Sequence, residues 1–173
     1  MGWTFKLHAG VATGVAAVLL PAAGLTWLPG LQPWAGSTPL LAVTAVAAFA
    51  LFLAAFGRMV LAGADRRLLG PALRCLPVGV LAGLGALLVA GVLMLAVSLS
   101  GQPSLEDPRA RDGHYYAFDT APVVRAEVEI PRGRYQDVLE ADTRAMEIVP
   151  AMLLVVSALV VLVAGELRGT GRR

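Results

Sequence analysis

Long segments without a charged residue constrain this chain more than any other feature. No Asp, Glu, Lys or Arg occurs from 9 to 57, from 75 to 105, or from 148 to 165. Hydrophobic residues make up 57% of the 173 positions even without glycine, whereas soluble domains reach about 45–50% only when glycine is counted. The sequence therefore predicts an integral membrane protein rather than a soluble domain.

The lengths of these segments predict the number of membrane crossings. A spanning helix needs about 20 apolar residues to cross about 30 Å of hydrocarbon, so the first segment is long enough for two. It divides at LPGLQPWAGST, residues 28–38, where two prolines and two glycines disfavour a continuing helix. We expect four transmembrane helices, at about 9–28, 39–61, 77–99 and 147–166. Glu147 and Glu166 are expected at the two membrane interfaces of the fourth.

Basic residues in the loops predict the orientation, because Lys and Arg beside spans are retained on the cytoplasmic side. The first turn has none, whereas the cytoplasmic loop expected at 58–75 has four arginines and the tail at 167–173 has three. Lys6 precedes the first span. We expect both termini in the cytoplasm and the loop 100–146 outside it. Asn is absent and Lys occurs once, a bias typical of a GC-rich bacterial genome, so the bacterial cytoplasmic (inner) membrane is the expected location.

The N-terminal segment and the single cysteine each have two interpretations. Residues 1–27 resemble a signal peptide, with Lys6 before the apolar run VATGVAAVLL and a small-residue stretch PAAG after it. Trp27 favours a retained helix, because tryptophan is enriched at membrane interfaces. Cys75 has no second cysteine to pair with and is predicted to be a small apolar filler at the mouth of the third span, with palmitoylation as the alternative.

The extracytoplasmic loop is predicted to carry a small ββα unit. SGQPSLEDP, residues 100–108, is typical of a turn-rich linker. HYYAFD and VVRAEVEI favour two strands of a hairpin at about 114–130, turning at Asp119-Thr120-Ala121-Pro122. Period-two alternation in the second strand places Val124, Ala126, Val128 and Ile130 on one face.

That apolar face needs a cover, because an isolated hairpin is only marginally stable in water. The segment at about 131–146 predicts an amphipathic helix whose Tyr135, Val138 and Leu139 pack on it. If this helix continues into the fourth span, Pro150 is expected to kink or interrupt it. The predicted fold is thus an all-α, four-transmembrane-helix bundle with an extracytoplasmic ββα insertion between the third and fourth helices.

Catalytic chemistry has little support in the sequence. His114 lies near acids, but zinc would require a second His or cysteines on that side. The acids of the loop alternate or recur as solvated faces do. No ionisable residue is expected at mid-depth in the spans, where such groups mark transport pathways. His8 is predicted to be interfacial, and hydroxyls such as Ser157 have no expected neighbouring base. We predict no catalytic residue, no metal site and no cofactor.

Two sets of residues are predicted to make contacts. The interaction candidates share the loop between the third and fourth spans: His114, Tyr115, Tyr116, Glu127, Glu129 and Tyr135. The helix-packing candidates share small size and four-residue spacing, which lets helices approach closely: Gly10, Gly14, Gly79, Gly83, Ala86 and Ala90. Packing within the four-helix bundle is favoured over dimerisation.

Three functions follow from this pattern. The leading prediction is a small non-enzymatic accessory subunit that binds another membrane protein or envelope component through the outer loop and the bundle surface. The second is an oligomeric channel or transporter. The third is an enzyme acting on lipid-linked substrates, which would require His114, Tyr115 and Glu129 to converge at the membrane surface. The expected partners are the lipid bilayer and a membrane protein or a second copy, with no nucleic acid.

The predicted orientation can be tested with a membrane-impermeant thiol reagent on right-side-out cells. We expect Cys75 to resist labelling, and a cysteine introduced by Ser104→Cys or Asp112→Cys to be labelled, because the membrane separates the two loops. Permeabilised cells serve as the control, in which Cys75 should react. Efficient labelling of Cys75 in intact cells would overturn the orientation.

Overall fold

Four helices of this chain are long and apolar enough to cross a membrane. The computed structural model describes residues 2–28, 38–63, 66–100, 104–121 and 125–170. In chain order its elements are α1 (Trp3–Leu25), α2 (Thr38–Leu61), α3 (Arg66–Arg74), α4 (Val78–Ser100), β1 (Leu105–Arg111), β2 (His114–Asp119), β3 (Ala126–Glu129) and α5 (Arg132–Thr170). The apolar helices are α1, α2, α4 and α5, and they support a membrane location. Most of the turn predicted at 28–38 lies outside the described residues.

Helix α5 is the centre of the helical assembly. It contacts α1, α2 and α4, whereas α2 and α4 do not contact each other within the described residues. Its buried positions recur at helical spacing along its length: Ile148, Ala151, Leu154, Val155, Ala158, Val161 and Ala164. Small residues at several of these positions let the neighbouring helices approach the α5 backbone. The helices α1, α2 and α4 therefore surround one central helix.

Helix α5 is also continuous. Its 39 residues extend about 58 Å at 1.5 Å per residue, far more than the hydrocarbon thickness. It passes through Pro150 without interruption, so of the two predicted outcomes, a kink or an interruption, the interruption does not occur. Proline removes one backbone hydrogen bond, but Ile148 and Ala151 on either side of it are fully buried. Packing on both sides holds the helix together at the proline.

The basic connection between α2 and α4 contains a helix that sequence analysis missed. Helix α3 is strongly amphipathic, and its Ala72 is buried together with Leu76 and with Val163 of α5. This packing places α3 across the end of α5 that is distant from the sheet, called here the α3 end. Cys75 follows α3 directly and is exposed, so the prediction that it fills an apolar site is wrong.

The three strands form one antiparallel sheet in the order β1-β2-β3. The predicted pairing of the second and third strands is confirmed, but the prediction of a turn-rich linker up to residue 108 is wrong because β1 begins at Leu105. The prediction is wrong because of Pro108, since proline is unfavourable in most strands. Pro108 lies where the β1–β2 register shifts between Glu106 and Arg109. Such a bulge on an edge strand accommodates a residue that has no N–H to donate.

One face of the sheet is covered by the first part of α5. Ala117 pairs with Val128, and the backbone N–H of Ile130 donates to the Tyr115 carbonyl. The ring of Tyr115 lies 4.8 Å from that of Tyr135 in α5, between ring centroids. Helix α5 contacts β1 and β2 but not β3 within the described residues. The predicted cover is therefore present, but over the two other strands, and Val124 of the predicted apolar face lies outside the described residues. The three strands and residues 132–146 of α5 are called here the sheet unit, and their end of the assembly the sheet end.

Two adjacent α5 residues that were both predicted to cover the sheet have different environments. Val138 is 3% exposed, whereas Leu139 is 36% exposed. The prediction for Leu139 is wrong, because a helix turns by about 100° per residue and only one of two neighbours can face the sheet. Val138 and Tyr135 are three residues apart and lie on the same side of α5.

The difference between these neighbours predicts opposite effects of the same substitution. Val138→Asp places a charge in a buried apolar contact, and we expect it to destabilise the sheet unit by about 3 kcal/mol or more. Leu139→Asp is the matched control and should have little effect. Limited proteolysis of residues 104–146 should show rapid cleavage for Val138→Asp and near wild-type resistance for Leu139→Asp. Equal resistance of the two variants would contradict the assigned packing.

Candidate functional site

The open face of the sheet brings together four of the six interaction candidates. In β2 the side chains alternate, so His114 and Tyr116 point away from the face that carries Tyr115 and Ala117. Tyr116 pairs with Glu129 across the sheet, and Phe118 with Glu127. Four of the residues predicted for interaction and Phe118, which was not predicted, thus form one surface, called here the open face: His114, Tyr116, Phe118, Glu127 and Glu129.

His114 and Glu129 form the one close polar pair of this surface among the described residues. The Nδ1 atom of His114 lies 2.6 Å from Oε1 of Glu129, and both side chains are more than half exposed. Such exposed pairs contribute little to stability. A carboxylate beside an imidazole fixes the orientation of the ring, so the pair presents the remaining ring nitrogen of His114 outward as a fixed hydrogen-bonding group.

Two residues of β1 extend the open face. Arg109 pairs with Tyr116 and Arg111 pairs with His114 across the β1–β2 ladder. Arg109 also forms an ion pair with Asp107, 2.5 Å away, and this hydrogen bond raises the pKa of Arg109. Sequence analysis missed both arginines because it predicted no strand there. It also left out Phe118, although period-two spacing from His114 through Tyr116 contained that signal.

The other two interaction candidates lie on the covered face. The rings of Tyr115 and Tyr135 pack against each other between the sheet and α5, with their planes tilted by 42°. Their rings contribute to holding the sheet unit on the helix. Tyr115 is therefore next to His114 in the sequence, but its side chain lies on the opposite face of the sheet from the His114–Glu129 pair. The three residues named for a membrane-surface enzyme, His114, Tyr115 and Glu129, do not converge on one side of the sheet.

Inside the helical assembly, a buried polar bridge joins α1, α5 and α2. His8 Nε2 lies 3.1 Å from Ser157 Oγ, and Ser157 Oγ donates to the carbonyl of Leu51 at 3.2 Å. His8 and Ser157 are both buried. The prediction that Ser157 has no neighbouring base is therefore wrong, whereas the interfacial position of His8 stays a prediction. Sequence distance concealed the pair, because 149 residues separate its members.

The direction of these hydrogen bonds argues against a nucleophilic serine. A hydroxyl has one proton to donate, and Ser157 donates it to the Leu51 carbonyl. The Nε2 atom of His8 is then the donor to Ser157 Oγ. In a serine hydrolase the imidazole nitrogen instead accepts the proton of the serine. The bridge accordingly satisfies three buried polar groups and links three helices.

At the sheet end, Arg144 connects α5 with the end of α1. Its Nε donates to Thr26 Oγ1 at 3.0 Å, and its guanidinium lies 5.5 Å from the ring centroid of Trp27. Glu140, one turn earlier on α5, accepts from Arg144 at 3.4 Å. The Arg144 side chain is only 15% exposed. These contacts, partly removed from water, fix the sheet unit to the spanning helices.

Glu147 and Ser98 differ from the bridge because their side chains lack partners. Glu147 is 0% exposed, and neither of its carboxylate oxygens has a hydrogen-bond partner among the described residues. The hydroxyl of Ser98, near the sheet end of α4, also lacks one. Glu147 had been expected at an interface. It lies four residues before Ala151 and seven before Leu154, on the buried stripe of α5, and that spacing was readable from the sequence.

The glycines predicted for helix packing face open space. A Cβ atom built at Gly10, Gly14, Gly79 or Gly83 would meet nothing within 4 Å. Ala86 is exposed, and Ala90 is partly buried on the same helix α4. In the described chain the small-residue stripes of α1 and α4 thus line a gap between the two helices.

No metal-binding cluster occurs among the described residues: no group of three or more His, Cys, Asp or Glu side chains comes together. Three polar features are therefore candidates for a functional role: the open face, the buried bridge and the region around Glu147. Comparison of the chain with family models, with curated proteins and with solved structures gives no match. Function must therefore be argued from these residues themselves.

Two buried serines allow a matched test of the bridge. Ser157→Ala removes the group that joins His8 to the Leu51 carbonyl, and we expect the free energy of unfolding to fall by about 1–3 kcal/mol. Ser98→Ala removes a hydroxyl that has no partner, so stability should be unchanged or slightly higher. Thermal unfolding of both variants in the same detergent measures the difference. A larger loss for Ser98→Ala would contradict the hydrogen bonds assigned here.

Proposed function

We propose that this protein is a small non-enzymatic accessory protein of the bacterial cytoplasmic membrane that binds another membrane or envelope protein through the open face of its sheet. Its four apolar helices form a transmembrane bundle, and the sheet unit lies outside the cytoplasm. The observation that carries the proposal is the open face itself. It brings aromatic, acidic and basic side chains together on one exposed surface of the sheet.

The composition of the open face suits protein recognition. Tyrosine, phenylalanine and arginine are enriched where proteins bind each other. Here Tyr116 and Phe118 supply apolar area, and the ring of His114 is oriented by Glu129 at 2.6 Å. Arg109 and Arg111 border these residues along β1. The open face and its border therefore combine charged groups with apolar area on one small surface.

The link between the open face and the membrane also supports this function. The other face of the sheet is fixed to α5 through Val138 and the Tyr115–Tyr135 contact. Helix α5 then continues without interruption into the centre of the helical assembly. A partner bound at the open face would be held at a constant position relative to the bilayer, as an accessory subunit requires.

A channel or transporter is the second candidate, and the buried ionisable residues favour it. Ionisable groups within spanning helices commonly mark ion pathways, and Glu147 and His8 are both buried in the assembly. The layers between them, however, contain fully buried Ile148, Ala151 and Leu154. Flux through reconstituted liposomes that is abolished by Glu147→Gln would favour transport over the accessory function.

Photo-crosslinking from neighbouring positions tests the proposed interface. A photoreactive phenylalanine analogue at Tyr116 lies on the open face, and the same analogue at Tyr115 lies on the covered face. In intact cells we expect the first to give a discrete adduct with another envelope protein. The second, as the matched control, should crosslink only within the chain.

A charge reversal adds specificity to this experiment. Glu127→Lys on the open face should reduce the yield of the adduct from position 116 at least five-fold, because about 1 kcal/mol of complementarity corresponds to that factor. Asp137→Lys, on an exposed side of α5, should leave the yield unchanged. Absence of any adduct from position 116, or equal adducts from both positions, would contradict the proposal.

A further inference from the structure

Helices α1 and α4 diverge from the sheet end towards the α3 end. Near the sheet end they are in close contact, because a Cβ atom on Gly91 would lie 3.5 Å from Leu20 of α1 and 2.8 Å from Met152 of α5. Gly24 likewise lies near Met94. Towards the α3 end the facing glycines of both helices have nothing within 4 Å. The two helices thus form a V that opens at the end where Lys6 lies.

The open part of the V is a groove of about 670 Å³. Its walls are one side of α1 and one side of α4, and Leu162 of α5 forms part of its lining. Glycines at four wall positions leave space between the two helices: Gly10, Gly14, Gly79 and Gly83. The lining is apolar apart from Thr13 and, at one extremity, Lys6. From Gly79 to Leu87 the α4 wall measures about 12 Å at 1.5 Å per residue.

The end of the groove marked by Lys6 is positively charged. Lys6 is exposed and forms no ion pair within the described residues. Arg58 and Arg168 belong to the same end of the assembly, where both lie within 6 Å of the ring centroid of Phe5, but neither of them lines the groove. Arg58 also donates to the carbonyl of Thr4. Glu166 of α5 lies at this end too and already has an interaction within the chain.

We infer that this groove binds an anionic phospholipid, with one acyl chain between α1 and α4 and the headgroup phosphate at Lys6. The length of the groove matches this occupant, because one leaflet contributes about 15 Å of hydrocarbon. A flexible chain can fill a narrow space between glycine backbones that bulky side chains cannot enter. The phosphate at its end is attracted by the ammonium of Lys6, the one cation that lines the groove within the described residues.

A second copy of the chain fits the groove less well. The groove closes where Gly91 meets Leu20 and Met152, so it covers only part of the length of a spanning helix. In a parallel dimer related by a two-fold axis, the Lys6 residues of both copies would also approach each other. Like charges at a contact are unfavourable. Length and charge both favour the lipid.

Native mass spectrometry of the purified full-length protein tests this inference. The probes are palmitoyl-oleoyl phosphatidylglycerol and the matching phosphatidylcholine, added at equal concentration to the same detergent. We expect tighter binding of the phosphatidylglycerol. Lys6→Gln should weaken it about five-fold, since one cation near the headgroup contributes about that factor. Arg74→Gln, which removes an exposed cation outside the groove, should not.

A pair of glycines on α4 supplies the control for the groove itself. Gly83→Leu fills the groove and should reduce binding of both lipids at least ten-fold. Gly85→Leu adds the same side chain to the same helix outside the groove, and binding should be unchanged. Neither position has an atom within 4 Å of its added Cβ, so both variants should fold; Gly79→Leu repeats the test if Gly83→Leu cannot be purified.

Four results would overturn the inference. One is equal affinity for the two lipids, and another is equal loss of binding in Gly83→Leu and Gly85→Leu. The third is a dimer in the wild type that disappears in Gly83→Leu, because it would show a second copy in the groove. Displacement of the lipid by soluble glycerol phosphate at the same concentration would likewise show that the headgroup alone is recognised.

Discussion

The packing of three helices around α5 is the contact on which the rest of this structure depends. In a bilayer, apolar surfaces gain little by leaving the lipid, so helix association relies on close van der Waals packing. Ala151, Ala158 and Ala164 are fully buried and let α1, α2 and α4 approach the backbone of α5. Helices α2 and α4 do not contact each other within the described residues. Their positions are therefore set through α5.

The same helix determines what the protein can present at each end. At the sheet end, Arg144 bonds to Thr26 of α1, and Val138 lies buried beneath the strands. At the α3 end, α3 packs on Val163 while α1 and α4 remain apart. The protein thus has aromatic and charged side chains on the open face at one end, and an apolar groove bordered by Lys6 at the other. The two surfaces are chemically distinct, and for that reason we propose a protein partner for the first and a lipid for the second.

The buried polar groups show two different physical outcomes. His8, Ser157 and the Leu51 carbonyl satisfy one another, so their burial adds directional contacts between three helices. Glu147 is equally buried, and its carboxylate has no hydrogen-bond partner among the described residues. Burying a charged group in this way is unfavourable for stability, so a functional role or a neutral carboxyl group is the usual explanation. The contrast makes Glu147 the residue whose presence packing alone does not explain. Its place beside Arg144 on α5 puts it at the junction of bundle and sheet unit.

The sequence by itself determined the number of apolar helices, the antiparallel pairing of β2 with β3 and the helix that covers them. These features depend on local hydropathy and periodicity, which neighbouring residues specify. Strand β1 was not predicted, because it contains Pro108. The bulge that accommodates this proline depends on pairing with β2, which the local sequence does not specify. The His8–Ser157 bridge, the burial of Glu147 and the gap between the glycine stripes were decided only by the tertiary structure. Each depends on how helices distant in sequence are oriented around α5, and hydropathy does not encode that orientation.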